Sequence, residues 1–77
     1  MDIKIGAKKD GTIVAARAEC RYMNGAFPGM WGTLGGMTAF ACYNIANNKA
    51  IGVNVLCNRP KVAAYRAPSA PMMAFGV

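Results

Sequence analysis

The chain predicts an α+β fold: an antiparallel hairpin plus a third strand with one packed helix, ending at the start of a second helix. Three observations carry that expectation. Apolar residues recur at every second position early in the chain, at helical spacing after Leu34, and at every second position again after Ala50. The turn-forming string Lys8-Lys9-Asp10-Gly11 separates the first two runs. The 77 residues allow one small domain at most, and a domain of this size buries only about 60 to 65% of its unfolded surface.

The elements follow in order. Ile3 and Ile5 alternate with Asp2 and Lys4, and a hairpin turn follows with Gly11 free to take positive φ. In the second arm Thr12, Val14, Ala16, Ala18, Cys20 and Tyr22 share one face, while Arg17, Glu19 and Arg21 share the other. Glu19 reads as a solvated strand charge with the two arginines as its partners. Asn24 to Gly36 is glycine-rich, contains Phe27-Pro28 and Trp31, and predicts a loop that packs aromatics. Leu34, Met37, Thr38, Ala41 and Ile45 then form a helical stripe, with a helix expected near Leu34 to Tyr43 and Asn47-Asn48 ending it. Ile51, Val53, Val55 and Cys57 make the third strand, near Ala50 to Cys57, which is expected to complete an antiparallel sheet with the hairpin Asp2 to Met23. Asn58-Arg59-Pro60 closes it, because proline donates nothing to a ladder.

Composition bounds the function. Apolar residues make up 55% and charged ones 16%, an apolar balance that calls for self-association or for a larger protein covering the apolar faces. The net charge of +6 is spread along the chain with no Lys/Arg run longer than two and no interleaved aromatics, so no nucleic-acid partner is expected. Cys20, Cys42 and Cys57 form no CxxC pair, which predicts reduced thiols and a cytoplasmic setting. With no histidine and three acids, a zinc site, a Ser-His-Asp triad and a Cys-His pair are excluded within one chain. Tyr22 to Asn48 carries no charge, yet its five glycines, four asparagines and Pro28 leave no run apolar enough to cross a membrane.

One segment looks built for a ligand. Tyr65-Arg66-Ala67-Pro68-Ser69-Ala70-Pro71 is irregular and feeds a helix start, with Ser69 a good N-cap residue and Pro71 suited to the first turn. Its backbone N–H groups at Arg66, Ala67 and Ala70 are candidate donors to an oxyanion or metal-oxo group. The expected helix has barely two turns before Val77, which fits a chain excised from something larger.

The string Ala64-Tyr65-Arg66-Ala67-Pro68-Ser69-Ala70-Pro71 resembles a loop of the molybdopterin-binding large subunit in the xanthine dehydrogenase and aldehyde oxidase family of molybdenum hydroxylases. Gly6 to Ile13, Asn24-Gly25-Ala26-Phe27, Cys42-Tyr43-Asn44-Ile45 and Asn58-Arg59-Pro60 agree in order and spacing, so the resemblance covers nearly all of the chain. It implies that residues 1–77 are a single fragment of a molybdopterin-binding domain. By the resemblance, Arg66 offers its backbone amide to the molybdenum centre, Arg66 and Ala67 contact the cofactor, and Pro68 lies beside the substrate. Ala67 and Ser69 stand where glycines are common in the family, and Met72 where many relatives carry glutamine.

The implied chemistry is hydroxylation of an aromatic heterocycle or aldehyde with oxygen from water, a glutamate serving as general base. That glutamate and the glycine-rich pterin loop lie outside this chain, so no catalytic residue is assigned here. The fragment alone is expected to be inactive and to hold no molybdenum-molybdopterin tightly. Its implied partners are the remainder of the large subunit and iron-sulfur and flavin subunits or domains, with a homo-oligomer expected for the fragment by itself. The competing reading is a small basic protein-interaction module that uses the aromatic loop Phe27 to Trp31.

Overall fold

The computed structural model describes all 77 residues and orders them as β1 (Asp2–Ala7), β2 (Ile13–Gly25), α1 (Trp31–Thr38), β3 (Asn47–Leu56) and α2 (Ala70–Gly76). The expected hairpin is present. Gly11 takes φ 89°, its N–H donates to the Lys8 carbonyl at 3.0 Å, and the Lys8 N–H donates to the Thr12 carbonyl at 2.9 Å. The Asp10 carboxylate accepts the Thr12 N–H at 3.0 Å and is held below the usual carboxylate range by that bond. β1 and β2 then pair antiparallel from Asp2 opposite Glu19 onward.

β2 is two-faced, as its alternation requires. Ala16, Ala18, Cys20, Tyr22 and Asn24 are buried, while Glu19 on the other face accepts from Arg17 at 3.1 Å and Arg21 at 2.7 Å. These exposed ion pairs contribute only about 0.2 to 1 kcal/mol each.

The sheet departs from the expected antiparallel arrangement. Its order is β1-β2-β3, and β3 runs parallel to β2 with Ala18 opposite Ala50 and Cys20 opposite Gly52. The cause is α1, which carries the chain back along the sheet before β3 begins, so β2, α1 and β3 form a crossover unit within a mixed sheet. The α+β class with a hairpin, a third strand and packed helices stands.

α1 also starts earlier and ends earlier than the stripe predicted. It spans Trp31–Thr38, and Thr38 Oγ1 turns back to donate to the carbonyls of Leu34 and Gly35, a local competition that favours helix ends. Phe40 and Ile45 are buried as expected, but from turns: Ala41 and Tyr43 donate three residues back, at 3.4 and 3.0 Å. Asn47 and Asn48 open β3 instead of merely closing a helix. The glycines of α1 let it lie directly on the sheet, since a Cβ on Gly32 would come 2.9 Å from both Asn54 Oδ1 and the Gly52 carbonyl carbon.

The core gathers Ala16, Ala18, Cys20, Tyr22, Ala39, Phe40, Ile45 and Met73. α2 joins it through Met73, whose sulfur lies 3.0 Å from the Cys20 thiol. Burial pushes that thiol's pKa up. No helix is long and apolar enough to cross a membrane.

Candidate functional site

The segment between β3 and α2 is irregular yet anchored at both ends. At its start Cys57 donates to the Gly25 carbonyl at 3.0 Å, Ala26 to the Arg59 carbonyl at 3.0 Å, and Val62 to the Asn24 carbonyl at 3.2 Å. Gly25 has φ 78° and the Pro60 carbonyl occupies the space a side chain would need, so only glycine fits at this end of β2. At its far end the Ser69 N–H donates to Tyr65 Oη at 3.1 Å, and the Ser69 hydroxyl donates to the Trp31 carbonyl at 2.9 Å.

Ser69 therefore does not cap α2 with its side chain as its residue type suggested. Its φ is 68°, with no side-chain cap bond, because the hydroxyl is taken by α1 and the residue is wholly buried. Pro71 does fall in the first turn of α2. The Ala70 amide, expected free, donates to the Ala67 carbonyl at 3.3 Å.

Arg66 and Ala67 are exposed and Pro68 is half-buried. The amides of Arg66 and Ala67 make no hydrogen bond within the chain, and neither do those of Ala63, Ala64 and Tyr65 before them, so this stretch carries a run of unpaired backbone donors. Ala67 takes φ 52°, and it and Ser69 are the chain's two non-glycine residues with positive φ. Glycine adopts this left-handed backbone freely, whereas a residue with a Cβ is strained in it.

Beside this loop lies a cleft of about 310 Å³ whose lining includes Tyr22, Met23, Trp31, Tyr65, Ser69 and Met72. Its walls are mostly aromatic and aliphatic. Tyr65 was read from the string only as a loop residue and Ser69 as a helix cap, yet together they lock the loop. Asn24 was read as the start of a loop, but it is the last buried member of the Ala16-Ala18-Cys20-Tyr22 series, and that parity was the signal for it. Asn24 is 1% exposed, and its carboxamide has no partner. Gly29 packs against it: a Cβ there would lie 3.2 Å from Asn24 Nδ2 and 3.3 Å from Trp31 Nε1. The Tyr22 phenol is also buried without a partner, and that burial raises its pKa.

The arrangement can donate hydrogen bonds to an anionic or oxo ligand and offer an apolar wall beside it. It offers no carboxylate base: Asp2 and Glu19 belong to the hairpin sheet and Asp10 to the turn. No three His, Cys, Asp or Glu side chains come together as a metal cluster.

The whole chain, residues 1–77, matches the family model described as Molybdopterin cofactor-binding domain. Searches of curated proteins and of solved structures returned no match.

Proposed function

The chain belongs to the molybdopterin cofactor-binding domain family, and from that premise we propose that it is one part of a xanthine dehydrogenase-like or aldehyde oxidase-like molybdenum hydroxylase. In this reading residues 1–77 are a fragment of the large subunit's molybdopterin-binding domain. They contribute one wall of the site, and the iron-sulfur and flavin parts of a cytoplasmic enzyme complete the electron path.

The observation that carries the proposal is the run of unpaired amides that ends at Arg66 and Ala67, the two positions the resemblance points to, on a loop locked by Tyr65 and Ser69. Two adjacent N–H groups suit the oxygen ligands of a molybdenum centre, and donors fixed in advance need no reorganisation. Arg66 holds the centre through its amide, Ala67 adds the second donor, and Pro68 borders the substrate. When bound, the cofactor supplies the two-electron redox chemistry. The chain contributes no general base, so proton transfer falls to groups outside it and the isolated chain is inactive.

The test uses the full-length gene product. Arg66→Pro deletes the amide proton and should lower molybdenum content, read by mass spectrometry, and reduce turnover at least tenfold. Arg66→Lys keeps the amide and should leave metal content intact. Equal metal content and turnover in both variants would remove the role assigned to this loop, and a gene product without molybdenum would remove the hydroxylase reading.

A further inference from the structure

We propose that the outer face of the sheet docks an acidic amphipathic helix from another polypeptide chain. The register places Lys4 opposite Arg17 and Arg17 opposite Lys49, so three cations stand in one row across three strands. Neighbouring strands lie about 4.8 Å apart, which makes the row about 10 Å wide. Like charges directly opposite one another destabilise a sheet. The chain's own acids leave this row unbalanced. Glu19 is shared between Arg17 and Arg21, Asp2 lies opposite Glu19 in the next row, and neither Lys4 nor Lys49 has a carboxylate partner.

Further along the same face the character changes. Met23 lies opposite Val55 and Arg21 opposite Val53, and Met23, Val53 and Val55 are exposed. Together with Ile51 they form an aliphatic strip on the side of the sheet away from α1. From the row of Arg17 to that of Met23 is six residues, or about 20 Å, the length of a helix of roughly 13 residues. Helices are the usual cover of a sheet face.

Charge complementarity selects the occupant. A second copy of this chain does not fit, because it has three acids, two of them on this face, and would set cation against cation. A nucleic acid would answer the row but not the aliphatic strip. A helix with carboxylates in its first turns and leucine-like side chains along the rest answers both, and acids in the first turn also suit its dipole.

The probe is a synthetic 18-residue peptide with glutamates in its first two turns and leucines on one face of the rest. It is titrated into the isotope-labelled 77-residue chain and followed by NMR. Shifts are expected at Lys4, Arg17, Lys49, Val53 and Val55. The double variant Lys4→Gln, Lys49→Gln changes only exposed side chains and should weaken binding tenfold or more, with Val53→Asn weakening it independently. A smaller loss in the double variant overturns the proposal. So does a peptide response confined to the cleft around Trp31, Tyr65 and Met72, or equally tight binding of a leucine-free glutamate peptide or a DNA oligonucleotide.

Discussion

Ala67 adopts φ 52°, a backbone that costs an L-residue with a Cβ about 1 to 2 kcal/mol and glycine far less. Ala67→Gly should therefore raise stability by up to about 1 kcal/mol, some of the gain being returned to the more flexible unfolded chain. Urea denaturation reads the difference. Ser69 differs because its hydroxyl holds the Trp31 carbonyl. Ser69→Ala keeps the strained backbone and orphans that acceptor, so a loss of about 1 to 3 kcal/mol is expected. A second consequence at this scale follows from two buried acids. The Cys20 thiol and the Tyr22 phenol both have raised pKa values, chiefly through burial, so the folded state keeps protons that the unfolded state releases. Their contribution is complete below the ordinary values of 9.0 and 10.0 and is lost as pH rises above them. Denaturation midpoints should fall as pH rises past 9.0 and then 10.0, and Cys20→Ala should flatten the thiol's part of that fall.

At the scale of elements, the decisive contact is α1 on β3, backbone against backbone at Gly32 and Gly52. A methyl at Gly32 meets Asn54 Oδ1 and the Gly52 carbonyl carbon at 2.9 Å, and the same substitution removes the room that lets the Gly32 N–H reach Asn54 Oδ1 at 2.8 Å. Gly32→Ala should cost about 1 to 3 kcal/mol. Gly36→Ala is the control: its Cβ meets nothing nearer than 3.8 Å, and replacing a helical glycine by alanine gains up to about 1 kcal/mol. Thermal unfolding of the two variants should therefore move in opposite directions. This contact also explains what the sequence concealed. Period-two alternation with a turn at Lys8 to Gly11 made the hairpin legible down to the faces of Arg17, Glu19 and Arg21. The helix was harder to place, because glycine's low intrinsic propensity marked Asn24 to Gly36 as loop and pushed the expected helix start to Leu34, whereas α1 begins at Trp31. Tertiary packing reversed that preference by using the missing side chains as contact surface. The parallel direction of β3 was hidden for the same reason, since it follows from a crossover helix whose start was misplaced. In the loop, the string around Arg66 was legible as an irregular segment leading into a helix start. Its locks were not, because Tyr65 Oη and the Trp31 carbonyl reach Ser69 only through folding.

For the whole molecule, the balance of covered and uncovered apolar surface matters most. Eight hydrophobic residues are buried in the core, and three of them are alanines, so the area removed from water is small for a chain this apolar. Outside it Phe75 is 95% exposed and Met37 72% exposed, with Met1, Phe27 and Met30 also largely uncovered. Their positions differ: Met30 immediately precedes α1 and Met37 lies within it, Phe27 lies in the preceding loop, and Phe75 lies on α2. These residues lie outside the cation-bearing strands β1, β2 and β3, and association through Phe27, Met30, Met37 and Phe75 requires no close approach of Lys4, Arg17 and Lys49 between copies. The isolated chain is therefore expected to self-associate, because burying this surface at about 25 cal/mol per Å² offsets the entropy of association once several such side chains are covered. Sedimentation over a range of concentrations should show species above 8.1 kDa, and Phe75→Ser with Met37→Ser should shift the distribution toward monomer. Lys4→Gln with Lys49→Gln should leave it unchanged. A single 8.1 kDa species at high concentration would mean that the exposed aromatic and methionine side chains are tolerated in water.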